Sequence, residues 1–459
     1  MVSQGNPQRV AKFGRRRALA TEKESSSSGR NRSLTVCIVG LNYAPEPTGI
    51  APYTAGLAHG LIERGHRVRV VSGYPHYPEW RVRPGYRGLR RTDDCDGVPV
   101  SRRRHFVPRR STAIGRAVLE LSFGMQAVLS RWGKPDVVVC VSPGLISTGM
   151  VVARAALMPG RSPAVGIWVQ DLYSSGVVET SAVGSVGARF VLALESKILR
   201  SADGVSVIHD RFKQVLVESL RIRDDSINVT RNWTHVGSAE LEKSSCRMLF
   251  GWRDDEFIAL HAGNMGAKQG LENVVSAARL AVERGLRVRF VLMGDGNQRA
   301  HLESLADDLT SVEFLRPVDD DKYLAALRGA DVLLVNERPG VKEMALPSKL
   351  TSYFKSGNPV VAATELSGIT AQELRTAGAG EIVTAGQPEL LLDAVIDLAS
   401  NPAKALSYGR SGKLFVDQKL SKDIAVNELE DWISGLSGIQ SPRVARHARI
   451  SGMQKVVEL

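Results

Sequence analysis

The sequence predicts an α/β protein made of two doubly wound parallel-sheet domains in tandem. Three observations lead there. Short runs rich in Val and Ile alternate with segments of helical period along most of the 459 residues. The alternation starts afresh after about residue 235, and Gly-rich turns follow several of the apolar runs directly.

Residues 1–32 are rich in Arg, Ser and Gly, ending in "TEKESSSSGRNR", and predict a disordered basic tail. The first domain is expected over 33–235. Val36–Val39 and Val68–Val71 read as buried strands. Between them Leu57, Leu61 and Ile62 mark one face of a helix that stops at Gly65, which makes a βαβ unit. Further strands are expected at "PDVVVCVS", "AVGIWVQD" and "GVSVIHD".

The second domain is expected over 236–415. "EFIALHAGN", "VRFVLMGDG" and "DVLLVN" read as strands, "GLENVVSAARLAVERG" and "RAHLESLADD" as helices. "LPSKLTSYFKSGNPVVA" adds a helix that stops at Gly357 and one more strand. Residues 416–437 predict a closing helix and 438–459 a second basic tail. Two such Rossmann-like units leave a cleft between the carboxyl ends of their strands, where open α/β sheets bind ligands.

The formal charge is +12, with 43% apolar and 24% charged residues. Basicity is concentrated in the two tails and in the Arg-rich segment 81–116, leaving the remainder mildly acidic. That argues against a nucleic-acid-binding surface across the body. Cys37, Cys95, Cys140 and Cys246 are widely spaced, without a CxxC or Cys/His cluster, which argues against structural zinc and a disulfide scaffold. No signal-peptide core or charge-free membrane span stands out, so a cytoplasmic location is expected.

Three Gly-rich loops stand between strand and helix: "NYAPEPTGIAPY" with Gly49, "AGNMGAKQGLENV" with Gly263, Gly266 and Gly270, and "MGDGNQ" with Gly294 and Gly296. Glycine lets a backbone approach a phosphate, and a helix N-terminus offers N–H groups, although tight turns use glycine without any ligand. A GxGxxG fingerprint after the first strand and a GxxxxGK[ST] loop are both missing, which counts against dinucleotide and triphosphate chemistry. Lys349 falls in the first turn of a helix, where the dipole disfavours a cation unless an anion binds there. Lys268 lies near another predicted helix start. Two lysines and two helix N-termini would hold a diphosphate without a metal.

The pieces "NYAPEPTGIAPYTAGLAHGLIERGHRVRVVSGYPHYPEW", "PDVVVCVSPGL", "WVQDLYSS", "RNWTH", "AGNMGAKQGLENVVSAA", "MGDGNQRAHLE", "LRGADVLLVN" and "LPSKLTSYFKSGNPVVA" follow one another in a family's order. The chain resembles the family-four retaining glycosyltransferases that use nucleotide sugars, and within them the colanic-acid and capsule type, over roughly residues 34–435. The resemblance implies the two-domain GT-B arrangement, with the last helix returning to the first domain. It implies that Lys268 grips the donor diphosphate together with Pro347, Ser348 and Lys349. Asn264 stands where many relatives have arginine. By the same resemblance Gly294 and Gly296 line the nucleotide pocket, Val318 and Pro317 touch the base through backbone atoms, and Gly49 approaches the phosphate from the first domain. Asp171 matches an acidic position near the transferred sugar. Relatives carry two glutamates with seven residues between them. Ser352 holds the second of those positions, the ribose contact, and Glu343 lies one residue off register for the first.

No cofactor is expected, and no DxD-type metal site stands out. On the acceptor side "GYPHYPEW", with Tyr74, His76 and Tyr77, is aromatic-rich, as sugar-binding loops are and as packed loops also are. "SRRRHFVPRRSTAIGRAVLELSFGMQAVLSRW" places arginines before an apolar helix, which suits an anionic membrane surface or an ordinary core helix. The expected partners are thus a nucleotide-sugar donor, a glycan or lipid-linked acceptor and an anionic membrane, but not nucleic acid. The competing readings are a non-hydrolysing nucleotide-sugar epimerase and a basic nucleic-acid-binding protein. His209 in "VIHDRF" reads as a helix-capping or core histidine.

Overall fold

A computed structural model describes residues 33–438, apart from 48, 110, 111, 159, 161, 174–184, 235, 236, 238–240 and 342–347. The first sheet contains β1 (Thr35–Gly40), β2 (Arg67–Gly73), β3 (Arg90–Cys95), β4 (Val98–Arg103), β5 (Val137–Val141), β6 (Ala164–Val169), β7 (Gly204–Val207) and β8 (Ile227–Val229). Their order is β3-β4-β2-β1-β5-β6-β7-β8, parallel except for β3. The central strands are uninterrupted apolar runs because helices cover both faces: β5 and β6 are buried at every position. In register, Val36 lies between Val68 and Val137, and Ile38 between Val70 and Val139.

The β3–β4 hairpin has no counterpart in the sequence analysis. Its signal was an Asp-Gly pair: Asp96 and Gly97 take φ of 54° and 83°, the geometry of a two-residue primed turn, and Gly97 N–H donates to Asp94 Oδ1 at 2.7 Å. The strand carries "RRTDDC" on the sheet edge, where charge discourages pairing with another chain.

The second sheet holds β9 (Phe257–Ala262), β10 (Val288–Met293), β11 (Val312–Leu315), β12 (Val332–Asn336), β13 (Val360–Thr364) and β14 (Gly380–Thr384), all parallel, in the order β11-β10-β9-β12-β13-β14. Strand order reverses at β1/β5 in one sheet and at β9/β12 in the other. Those two switch points are where loops part and leave a crevice.

Helices α1 (Ala51–Glu63), α2 (Ala113–Val128), α3 (Leu145–Ala156), α4 (Ser185–Leu199) and α5 (Asp210–Glu218) lie between the first set of strands. The second half has α6 (Lys243–Met248), α7 (Glu272–Glu283), α8 (Arg299–Leu305), α9 (Asp320–Gly329), α10 (Lys349–Ser356), α11 (Ile369–Ala377), α12 (Pro388–Ser400) and α13 (Pro402–Lys419). The chain then crosses back, and α14 (Lys422–Gly438) packs on the first sheet. Ala425, Leu429, Ile433 and Leu436 join the core made by α1, β1, β2 and β5. Small residues make room for it. A β-carbon at Gly60 would lie 2.6 Å from Val426, and one at Gly166 would lie 2.6 Å from the Trp432 ring. Glu430 receives His66 at 2.9 Å and Arg64 at 3.2 Å, which fixes the helix along α1.

Leu429 is fully buried in that seam. Leu429→Ala is expected to cost about 2–5 kcal/mol, seen as an earlier urea midpoint in tryptophan fluorescence of the first domain, with that of the second domain unmoved.

Candidate active site

At the second switch point the chain leaves β9 through Gly263, turns tightly over Ala267–Gln269, and reaches Gly270 with φ of 53°. Strand β12 pins this loop from below. Asn336 Nδ2 donates to the carbonyls of Gln269 and Gly270 at 2.7 and 2.8 Å, and Asn273 Nδ2 donates to Asn336 Oδ1 at 2.8 Å. Arg338 N–H donates to Lys268 O at 2.8 Å. The backbone of Lys268 is therefore fixed while its side chain stands exposed.

Lys349 opens α10 and points back under this loop. Its Nζ donates to Nε2 of the fully buried His261 at 3.2 Å. A β-carbon at Gly263 would lie 3.3 Å from that Nζ, so the turn leaves room for the ammonium. Burial, aided by the Lys268 charge, lowers the Lys349 ammonium to about 7, with Glu337 opposing the fall. Burial and the Lys349 cation keep His261 neutral, which lets its Nε2 accept. Glu337, at the end of β12, is itself raised by burial, while Thr364, Thr370 and the two lysines hold it down. Two ammonium groups thus converge at one sheet end, beside the first turn of a helix whose N–H groups have no intrahelical acceptor.

Across the cleft Asp171 follows β6. Burial pushes its carboxyl up to about 6, although Lys268 of the second domain and Arg116 of α2 both pull it down. Ser142 Oγ holds the local backbone, donating to Asp171 O at 3.3 Å and accepting from Gln170 N–H at 3.0 Å. Tyr77 is half-buried and feels Arg116, Asp171 and Glu46, so it shares this space. It lies over Gly49, where φ is +69° and a β-carbon would meet the ring at 3.5 Å. Lys268, Lys349, Asp171, Tyr77 and Gly49 therefore bound one cleft.

Other expected residues take different places. Tyr74 is 1% and His76 2% exposed. The Tyr74 hydroxyl donates to Arg87 O at 2.8 Å, and His76 packs edge-on against His105 at 4.7 Å. Both hold the loop together from within. Gly294 and Gly296 serve loop contact: β-carbons there would lie 1.9 Å from Gly263 O and 2.4 Å from Met265 O. Asn264 is exposed beside Gly266 and Gly296. Ser348 is exposed at the N-cap of α10, and Val318 is half-buried against the second core. Ser352 is 6% exposed, its hydroxyl engaged with Tyr323 OH at 2.8 Å and Lys349 O at 2.9 Å. Glu343 and Pro347 lie outside the described residues.

Sequence reasoning missed Glu46, Arg116, His261, Asn336 and Glu337. Buried Glu46 accepts from the N–H groups of His76 and Tyr77 at 2.8 and 2.9 Å and from Asn42 Nδ2 at 2.8 Å, which sets the aromatic loop. For Asn336 and Glu337 a signal existed: polar residues ending an otherwise apolar strand, "DVLLVNE".

Comparison with known proteins bears on the fold that carries this cleft. The Glycosyl transferase 4-like domain profile matches residues 48–233, and that of Glycosyl transferases group 1 matches residues 256–401. The chain thus carries two glycosyltransferase domains, a 4-like one in its first half and a group 1 one in its second. WcaI, the candidate glycosyl transferase of colanic acid biosynthesis in Escherichia coli K12, is 29% identical over 347 residues, covering 72% of this chain and 83% of WcaI. Sucrose-phosphate synthase from Thermosynechococcus elongatus superposes with a TM-score of 0.67 at 16% identity, covering 88% of this chain and 99% of that one. HepE of Anabaena, solved in complex with UDP, superposes with a TM-score of 0.63 at 14% identity, covering 87% and 99%. At those identities the likeness is one of fold, and the fold is GT-B.

The Lys349 value has a direct consequence for this glycosyltransferase. A diphosphate bound beside Lys349 would hold this half-protonated ammonium fully protonated, so its binding would take up a proton. Titration of a nucleoside diphosphate in buffers of different ionisation enthalpy should give about half a proton per ligand at pH 7, rising toward one near pH 8.5. Lys349→Arg should abolish the uptake.

Proposed function

We propose that the enzyme transfers a sugar from a nucleoside-diphosphate sugar to a lipid-linked glycan, with retention at the anomeric carbon, in cell-envelope or exopolysaccharide synthesis. The convergence of Lys268 and Lys349 on the first turn of α10, facing Asp171, carries this reading. Negative charge grows on the diphosphate as the bond to the sugar breaks. Two ammonium groups and the α10 N–H groups stabilise it where it develops. The leaving phosphate takes the acceptor hydroxyl's proton as that oxygen bonds to the face it vacates. Asp171, ionised above about pH 6, stands beside the sugar and offsets positive charge at the anomeric carbon. Two lysines supply the charge that a divalent ion would otherwise bring, so transfer proceeds without one.

An acceptor on a lipid requires the cleft to meet a membrane, and α2 supports that. Ile114, Val118, Leu121, Met125 and Leu129 are exposed at 79, 42, 47, 51 and 76% and recur every three or four residues on one helix face. Arg104, Arg109, Arg116 and Arg131 are exposed on or beside the helix, and Glu120, the acid of α2, is buried. An apolar ridge flanked by cations fits an anionic bilayer. No helix among the described residues is long and apolar enough to cross a membrane. We place the enzyme peripherally on the inner face of the plasma membrane.

One nucleoside diphosphate among UDP, GDP and ADP should raise the melting temperature equally with and without EDTA. At a hundredfold excess over Kd the gain is about 2.7 kcal/mol. Lys268→Ala should remove the shift and lower kcat by about 10²–10³. A shift that needs metal, or one that survives Lys268→Ala, would count against the diphosphate site. For the membrane face, Val118→Glu and Met125→Glu should each weaken co-sedimentation with phosphatidylglycerol vesicles at least tenfold, with nucleotide binding unchanged.

A further inference from the structure

The two domains touch behind the cleft through a buried ionic cluster that the transfer chemistry does not use. Glu373 lies on α11 of the second domain and is 2% exposed. Its carboxylate meets the first domain and the connecting segment. His209 Nε2 lies 3.0 Å from Oε2, and Arg231 Nε lies 3.4 Å from Oε1. Nδ1 of His209 accepts the Arg211 N–H at 2.9 Å, so Nε2 carries the proton and donates to Glu373. Arg231 also reaches Asp210 at 2.9 Å. One helical turn before Glu373, Ile369 is buried in the hydrophobic core of the first domain.

The same helix reaches the donor site. Thr370 Oγ1, beside Ile369, donates to Glu337 Oε1 at 2.8 Å, and Glu337 sits in the field of Lys268 and Lys349. Arg231 belongs to the strip between the domains, where Thr234 N–H donates to Leu420 O at the end of α13 at 3.3 Å. Helix α11 therefore has one face set in the first domain, at the pivot, and a neighbour at the diphosphate lysines. A buried carboxylate separated from its Arg231 cation and its His209 donor is strongly disfavoured, so this cluster tolerates few angles between the domains.

We infer that Glu373 is a positioning residue for transfer: it sets the interdomain angle at which Lys268 faces Asp171. This rests on reading those two residues as the donor and acceptor sides of the reaction. Nucleotide binding, made by the second domain, does not depend on Glu373, whereas productive alignment does.

The test uses the full chain with Glu373→Gln, and Arg231→Lys as a milder second variant in case the first folds poorly. Radius of gyration by small-angle scattering, diphosphate affinity by calorimetry, and kcat with KM are measured for each. The expected result is a larger radius of gyration and kcat lower by 10- to 100-fold, with diphosphate Kd within threefold of the parent. Glu373→Asp should recover part of kcat. An unchanged radius and kcat would overturn the inference. So would a diphosphate affinity that falls in step with kcat, because that marks Glu373 as a support of the second domain alone. If the parent protein transfers no sugar while Glu373→Gln still expands the molecule, the pivot stands and the functional reading fails.

Discussion

The glycosyltransferase depends on holding two like charges together. Lys268 and Lys349 share one sheet end, and a helix N-terminus beside them adds positive potential. Each cation raises the cost of the other, and burial raises that of Lys349 further. The surrounding structure is arranged to bear this. Neutral His261 accepts from Lys349, Glu337 supplies counter-charge from the strand end, and Asn336 prevents the loop of Lys268 from swinging away. An anion entering this place meets charge that needs no rearrangement to receive it, which is the preorganisation that favours a developing leaving-group charge.

The domain plan was legible in the sequence because parallel sheets covered on both faces need apolar runs, and those runs alternate with amphipathic helices. Lys349 stood out in the sequence because a cation in a first helical turn conflicts with the dipole, and Lys268 because it lies near another helix start. Side-chain direction was not legible. Tyr74, His76 and Tyr77 fall in one aromatic stretch, but only Tyr77 turns toward the cleft, because Glu46 binds the backbone N–H groups of His76 and Tyr77 from thirty residues away. Gly294 and Gly296 looked like phosphate glycines. Their more direct reason is backbone contact with the loop after β9, a tertiary approach that no local pattern announces. Ser352 likewise bonds to Tyr323 of a neighbouring helix, a partner that spacing along its own helix cannot reveal.

The cleft is bounded by elements of unequal rigidity. Its second-domain wall is held by backbone and amide hydrogen bonds around β9 and β12. Its first-domain wall combines the Ser142–Asp171 hydrogen bond, which ties the ends of β5 and β6, with a loop clamped by a single carboxylate. The buried Glu373 cluster joins the walls at their base, so the geometry of the centre is decided partly at residues that touch no substrate.

The return of α14 also governs the order in which the chain can fold during synthesis. The first domain's core includes Leu429 and Ile433, which leave the ribosome after the whole second domain has been made. Until then the groove lined by Gly60, Gly166 and Gly204 has no occupant. The second domain is in effect an insertion between the body of the first and its last helix. It can complete its own sheet while the earlier domain waits, exposed, for the piece that closes it.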